Sequence, residues 1–546
     1  MKTFIIDFFS LVSIVLGPFF TFLWYNDYGI IAAEIFFCLG IIMFLAMVSA
    51  LLLLAAGRQS PISGIARAVI FSIFLTFFLD IQFEFSYQLI LAIFLGWTGV
   101  VYVIRRHINV VVLFAGTLVT LSSAMVVQAR ALPDTRMQAM VKEPQAAAKL
   151  PPIIHLILDE HIGIEGIGPG LEQYADIKRD LRAFYERYGF RSYGKAYTWY
   201  GDTGNSIPSI MNFGEKTNAL VENSGQNSQD SMRVFALTLR KNRYFDTLIE
   251  RGYAVHVYQT GWLNYCPENL AHGGICFSYL ITGPKVIENI GISVPDKAWI
   301  VGTMFVSNTR LWGLVLSLYY RVLEKMFSSD ELENILESVE HHPDRSVADS
   351  LATFSALERL LDDVAESPRN SAYFVHLMFP HSPYAFSSDC SIRPAAAWFR
   401  LRNRFGKNTE RSRQIRYGRY FEQVTCLYRK LGAFFDALKD LDIFDDAIIV
   451  VHSDHGSRIS TRPPKVTASG DEGTARDLLD HHSTIFAVRR PLGTNAGYDL
   501  TPRPVEELLA EIMDVTDVPS SAPCPDRPCV YVPSPDGFAT RPIWGF

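Results

Sequence analysis

Five apolar stretches, at roughly 5–24, 29–56, 68–83, 88–104 and 108–127, occupy the first 130 residues, and each is close to the ~20 residues that cross a hydrocarbon core. Most of the charged residues of the 546-residue chain lie beyond them, so two solvents are implied. Asp80 and Glu84 interrupt the third and fourth stretches, which could also fuse into one broken hairpin. Lys2, then Arg58 and Arg67, then Arg105 and Arg106 alternate along the chain with Asp27 and Glu84. Under the positive-inside rule this alternation puts the N-terminus in the cytoplasm and everything after Arg130 outside it. The expectation is a multi-pass membrane protein that carries a large domain on the far side of the membrane from its N-terminus.

The net charge of −6 shows no basic footprint for nucleic acid. Of seven cysteines, Cys38 lies in an apolar stretch. Cys266 and Cys276, and Cys524 and Cys529, are close enough in sequence to close into disulfides, and Cys390 with Cys426 is a possible third pair. Such usage suits an oxidising compartment.

Residues 1–128 thus read as a transmembrane domain, 129–150 as an Ala-, Gln-, Met- and Pro-containing linker, and 151–546 as an extracytoplasmic domain. In that domain Ile153 to Leu158, Tyr253 to Tyr258, Tyr373 to Met378, Ala447 to Val451 and Thr484 to Val488 have the continuous apolar character of buried strands. Helical spacing recurs near 172–188, 231–250, 347–365 and 411–440. Alternation of this kind predicts an α/β domain with a largely parallel central sheet, whose sites gather at the carboxyl ends of the strands. One segment stands apart. Residues 297–327 carry Trp299, Phe305, Trp312 and Leu318 with Arg310 and Arg321, which suits a helix at the membrane interface or one packed in a domain core.

Three pieces carry chemistry. The first strand runs into Asp159-Glu160-His161, where carboxylates at a strand end can hold a cation or cap a turn. The loop Gly201-Asp202-Thr203-Gly204-Asn205-Ser206-Ile207-Pro208-Ser209 feeds a short helix, whose N-terminus suits a phosphate or sulfate oxyanion if its hydroxyl is not simply a cap. The third piece is the most specific: a buried strand ends in His452-Ser453-Asp454-His455-Gly456, so a carboxylate and an imidazole can converge on one metal.

Together these pieces resemble the alkaline phosphatase and sulfatase superfamily over roughly residues 150 to 520, and within it the membrane branch of lipid A phosphoethanolamine transferases and lipoteichoic acid synthases. The resemblance implies a transmembrane helical bundle followed by an alkaline-phosphatase-like α/β domain. It also implies one divalent ion, zinc or manganese, on Asp159, Thr203, Asp454 and His455, with Glu160 as a further ligand or a support. Thr203 would be the nucleophile and carry a covalent phospho-intermediate. His381, in Phe379-Pro380-His381-Ser382-Pro383, matches a His near the leaving group, with His376 as its competitor. His481 or His482, Asn205 and Trp262 would contact substrate.

What the resemblance implies about function is transfer of a phosphoethanolamine or phosphoglycerol head group from a membrane phospholipid to an envelope lipid or glycan. A sulfatase-like phosphodiesterase or sulfatase hydrolase is the alternative. The Cys/Ser-x-Pro-x-Arg signature of sulfate-ester hydrolases is absent from the nucleophile loop. No Arg follows Trp262 and Asn264, which departs from the glycerol-phosphate site of lipoteichoic acid enzymes. An inactive envelope scaffold is a reading of another class; the joint presence of Asp159, Thr203, Asp454 and His455 speaks against it.

Overall fold

The computed structural model describes every residue outside 1, 26–27, 57–60, 84–85, 106, 117–149, 172–173, 216–220, 224–236, 261–262, 267–273, 280–286, 289, 307–308, 327–345, 395–396, 399–408, 469, 517–521, 525 and 545–546. Linker residues 129–149, the second half of the fifth apolar stretch, Glu84 and Trp262 therefore lie outside the described residues. Two compact units form: Met1–Asp134 with Thr282–Arg345 and Pro394–Ala397, and Thr135–Ile281 with Ser346–Arg393 and Trp398–Phe546.

The first unit contains α1 (Lys2–Tyr25), α2 (Ala33–Ala55), α3 (Pro61–Phe83) and α4 (Tyr87–Ile104). Among the described residues these four are long and apolar enough to cross a membrane. Leu11, Ala46, Phe71 and Val101 meet at their centre. Asp7, drawn into the bundle, is paired, as a hydrocarbon surround demands of a charge: it accepts from Arg67 at 2.8 Å and from Asn109 at 2.7 Å.

The second unit is built on α5 (Tyr174–Arg187), α6 (Thr203–Met211), α7 (Arg243–Glu250) and the strands β1 (Ile153–Leu158), β2 (Arg191–Tyr193), β3 (Ala254–Gln259) and β4 (Cys276–Ser278). The chain then returns to the first unit as α8 (Val294–Val306) and α9 (Arg310–Met326). Back in the second unit follow α10 (Ser346–Glu366), β5 (Ser371–Leu377), α11 (Glu410–Asp440), β6 (Ile448–His452), α12 (Ala475–His482), β7 (Phe486–Arg489), β8 (Gly497–Asp499), α13 (Val505–Ile512) and the hairpin β9 (Cys529–Ser534) and β10 (Gly537–Pro542).

α8 and α9, from within the expected 151–546 domain, group with the first unit. Phe305 at the end of α8 sits 5.2 Å from the Phe19 ring, 5.5 Å from Phe22 and 6.2 Å from Phe77. Cys38 of α2 donates to the Ala298 carbonyl at 3.4 Å. An apolar surface can be covered equally well by a core or by another helix bundle, and here membrane-type helices cover it.

The central sheet has the order β8-β2-β7-β6-β1-β5-β3-β4. β1 pairs in parallel with β6 and β5, β3 is parallel to β5 and β4, and β7 alone runs against its neighbours. All six residues of β1 are buried, as expected of a strand covered on both faces. Of the expected helix over 231–250, residues 231–236 lie outside the described residues, Leu237–Leu239 is a short strand, and the described helix is Arg243–Glu250. Asn242 explains the start at Arg243, because its side chain accepts from Phe245 N–H and caps the helix there. Disulfides join Cys266–Cys276, Cys390–Cys426 and Cys524–Cys529.

Candidate active site and metal centre

Strand register gathers the acidic and imidazole groups. Ile157 of β1 stands opposite both His376 of β5 and His452 of β6. Side chains two positions apart share a face, so Asp159 and Asp454, each two residues beyond that row, emerge on the side of His376. One ligand atom from each of Asp159, His376 and Asp454 lies within 4.8 Å of the others, and all three residues are buried.

The nucleophile loop meets this cluster. Asp202 caps α6, accepting from the Asn205 backbone at 3.1 Å and from its side-chain amide at 3.0 Å. Thr203, the first residue of α6, is thereby fixed with its hydroxyl donating to Asp454 Oδ2 at 2.7 Å and standing 3.2 Å from His455 Nε2. His455 engages the Gly456 carbonyl through Nδ1 at 2.8 Å, which leaves Nε2 for the site. Gly456 is required by a close approach: a Cβ there would lie 2.4 Å from the Asp480 carbonyl oxygen.

A second group adjoins the first. Asp159, Glu160 and His381 also bring ligand atoms within 4.8 Å of one another. Glu160 is fully buried, its Oε1 receiving Arg458 Nε at 2.8 Å and lying 3.6 Å from His381 Nε2. Burial alone would raise the Glu160 carboxyl, but His381 and Arg458 outweigh it and hold the group below the ordinary carboxylate range. Burial works downward on His381, and the Glu160 and Asp159 carboxylates more than reverse it, leaving its pKa raised. The Asp454 carboxyl is lowered against its own burial by His455, His376 and the Thr203 hydroxyl.

Tyr265 supplies an outer contact, its hydroxyl 2.8 Å from His376 Nδ1, so that Nε2 turns toward Asp159. His376 Nε2 is 3.2 Å from Asp159 Oδ2 but lacks hydrogen-bond geometry, and both His376 Nε2 and Asp159 Oδ1 are buried without a hydrogen-bond partner. Desolvated atoms in that condition are costly unless a cation meets them. Carboxylate, imidazole and hydroxyl donors suit zinc, and the oxygen-rich share of the set suits manganese as well.

The remaining sequence candidates separate on geometry. His482 Nδ1 contacts the Thr198 carbonyl at 3.2 Å, and its ring lies against Gly201, two residues before Thr203. Burial and the nearby His455 push its pKa down to about 3, so the ring is neutral. His481 Nε2 instead reaches Ser460 Oγ at 3.0 Å. The Asn205 amide is held by the Asp202 cap.

No protein-family profile and no curated protein matches the chain. Solved structures similar to it include the lipoteichoic acid synthase LtaP of Listeria monocytogenes, 12% identical with a TM-score of 0.34 over 68% of this chain and 72% of that one. The C-terminal periplasmic domain of EptC from Escherichia coli is 10% identical with a TM-score of 0.36 over 72% and 93%. The phosphonate monoester hydrolase of Silicibacter pomeroyi is 14% identical with a TM-score of 0.38 over 68% and 74%.

Three residues near the site carry little signal in the sequence. Arg458 follows Asp454 closely and could have been noticed as a charge in a buried loop; Tyr265 has no motif. Glu506, on the first turn of α13, accepts from Ser209 Oγ at 3.0 Å and Trp199 N–H at 3.3 Å, linking α13 to both ends of the nucleophile segment. Burial pushes its carboxyl up to about 8 from 4.5. The contribution of this raised carboxyl to stability is largest below about 4.5, where the group is protonated in both folded and unfolded states. That contribution is lost as pH climbs from there toward about 8, because Glu506 ionises easily only in the unfolded chain. Glu506→Gln is expected to flatten that decline, giving a higher melting temperature than wild type at pH 8 and little difference at pH 5. Parallel melting curves for the two proteins across this range would refute the assignment.

Proposed function

We propose that the protein is a membrane-anchored transferase of phospho-alcohol head groups, using Thr203 as nucleophile. The observation that carries this reading is the Thr203 hydroxyl at a helix N-terminus, donating to Asp454 Oδ2 at 2.7 Å beside His455 Nε2 at 3.2 Å. A divalent ion, zinc or manganese, held by Asp159, Thr203, Asp454 and His455 with His376 in reach, would polarise the phosphoryl group and acidify the hydroxyl. Asp454 orients the Thr203 hydroxyl and lies where its proton can go as the oxygen attacks phosphorus. The N-terminus of α6, at which Thr203 stands, would favour negative charge on the phosphoryl oxygens.

The Thr203 oxygen-to-phosphorus bond forms as the phosphorus-to-glycerol oxygen bond of the lipid breaks, and the leaving diacylglycerol oxygen takes a proton. His381, its pKa raised beside Glu160, is the donor this arrangement offers. His482, whose ring lies against Gly201, and His376, beside Asp159 and Asp454, would border the phosphoryl group. An acceptor hydroxyl on an envelope lipid or glycan then attacks phosphorus and releases Thr203. Phosphatidylethanolamine or phosphatidylglycerol as donor accords with a bilayer anchor, which concentrates the lipid near the site. Three disulfides accord with a periplasmic location for the second unit, outside a bacterial inner membrane.

The test is intact-mass analysis of the full chain in mixed phosphatidylethanolamine and phosphatidylglycerol micelles, with Thr203→Ala beside it. The expected result is a metal-dependent adduct absent from the variant, whose mass names the head group. Diacylglycerol release that needs no acceptor would identify a hydrolase. Equal adduct on the alanine variant would overturn Thr203 as nucleophile.

A further inference from the structure

Helix α9 leaves one face open. Leu314, Leu318, Val322 and Met326 recur at every fourth position of this helix and are between 44 and 69% exposed. At about 100° per residue each step of four drifts only about 40°, so the four side chains form a single stripe. Arg321 and Lys325 are exposed as well and, one position before Val322 and Met326, run along one edge of the stripe, while exposed Arg310 stands at its start, four positions before Leu314.

The helix is anchored beside the turn between two membrane-type helices. Leu311 N–H donates to Asp80 Oδ2 at 2.8 Å, so a carboxylate near the end of α3 meets the N-terminus of α9. The Arg310 guanidinium lies over the ring of Tyr87, the first residue of α4, at 5.6 Å. Gly313 permits this proximity, because a Cβ there would stand 2.8 Å from the Tyr87 hydroxyl. Asp80 and Tyr87 bracket the α3–α4 turn, the level at which apolar spans give way to polar groups and aromatic anchors gather. Exposed Leu89, Leu91 and Leu95 carry the apolar surface onward along α4.

We infer that α9 is a membrane-surface helix whose leucine, valine and methionine stripe enters the acyl–headgroup boundary while Arg321 and Lys325 bind anionic phospholipid head groups. The occupant is the bilayer itself, because the stripe is continuous with the apolar surface of α4 and because cations flank it on one edge. A protein partner of acidic surface would satisfy the cations but not the continuity with a bilayer-spanning helix. The inference rests on α1 to α4 spanning a bilayer and is independent of phosphoryl transfer.

The experiment uses the full chain in phosphatidylcholine vesicles containing phosphatidylglycerol. Leu318→Cys is labelled with an environment-sensitive fluorophore, with Leu95→Cys on α4 as the lipid-facing reference; the native thiols are disulfide-bonded or, for Cys38, buried. Lipids brominated near the head group should quench the Leu318 probe more strongly than lipids brominated at the chain ends. Brominated phosphatidylglycerol should quench it more than brominated phosphatidylcholine, and Arg321→Glu with Lys325→Glu should erase that preference. A Leu318 probe quenched by aqueous iodide and untouched by brominated lipid, while the Leu95 probe is quenched, would overturn the inference. If the Leu318 variant does not reconstitute, Val322→Cys on the same stripe is read against the same outcomes.

Discussion

Asp454→Asn should lower turnover by on the order of 10³-fold or more, and metal content with it. The size follows from what is lost together: a charged ligand worth several kcal/mol of transition-state stabilisation, at about 1.36 kcal/mol per factor of ten. Asn keeps the volume but offers one neutral acceptor where the carboxylate serves the Thr203 hydroxyl at 2.7 Å with one oxygen and the His455 N–H at 2.9 Å with the other. Elemental analysis of the purified full chain, alongside diacylglycerol release, separates loss of the ion from loss of chemistry. A variant with wild-type metal content and near-wild-type turnover would remove Asp454 from the site.

Arg413→Met should destabilise the second unit by roughly 3–5 kcal/mol, the usual consequence of stripping one partner from a buried ion pair. Arg413 grips Asp480 with two bonds of 3.0 and 3.1 Å, and Asp480 is fully buried. Burial drives the Asp480 carboxyl up even with Arg476 and Arg413 near it, so without Arg413 the charge is poorly compensated. The backbone around Asp480 is what the site loop hangs from: its carbonyl accepts from Arg458 at 2.7 Å, and the His481 carbonyl accepts from Gly456 at 2.9 Å. Thermal unfolding in detergent should show the loss, and Arg413→Met combined with Asp480→Leu should recover much of it. A single variant that melts with the wild type would show that the pair is not structurally important.

The strands of the second unit were readable because a strand buried on both faces must be an unbroken apolar run; Ile153–Leu158 is placed to the residue, and the others within one or two positions. The clustering of Asp159, Thr203, Asp454 and His455 was readable for a related reason, since polar residues densely placed after such runs fall at one edge of a parallel sheet. Choosing between His376 and His381 was beyond the sequence, because register decides it: His376 shares a row with Ile157 and joins Asp159 and Asp454, whereas His381 sits against Glu160. His482 was separable from His481 only through the turn of α12, which directs one ring to Thr198 and the other to Ser460. Arg413 and Glu506 are distant in sequence from what they support, 67 positions from Asp480 and 297 from Ser209, so no local pattern announces them. The placement of 294–326 was ambiguous because hydrocarbon and protein core ask for the same side chains.

That placement sets a timetable for biogenesis. Val294, where α8 begins, lies 190 positions after Ile104, where α4 ends. At about 5–20 residues per second of synthesis, roughly 10–40 s separate the emergence of the membrane helices from that of the segment that completes their unit. Through that interval Phe19, Phe22 and Phe77 wait without Phe305, and the surface of α2 that receives Ala298 stays open. A secreted fragment starting just after the membrane helices would carry the complementary face of α8 uncovered. Aggregation of such a fragment, and recovery of soluble protein when α1 to α4 are supplied in trans, is the behaviour this architecture entails.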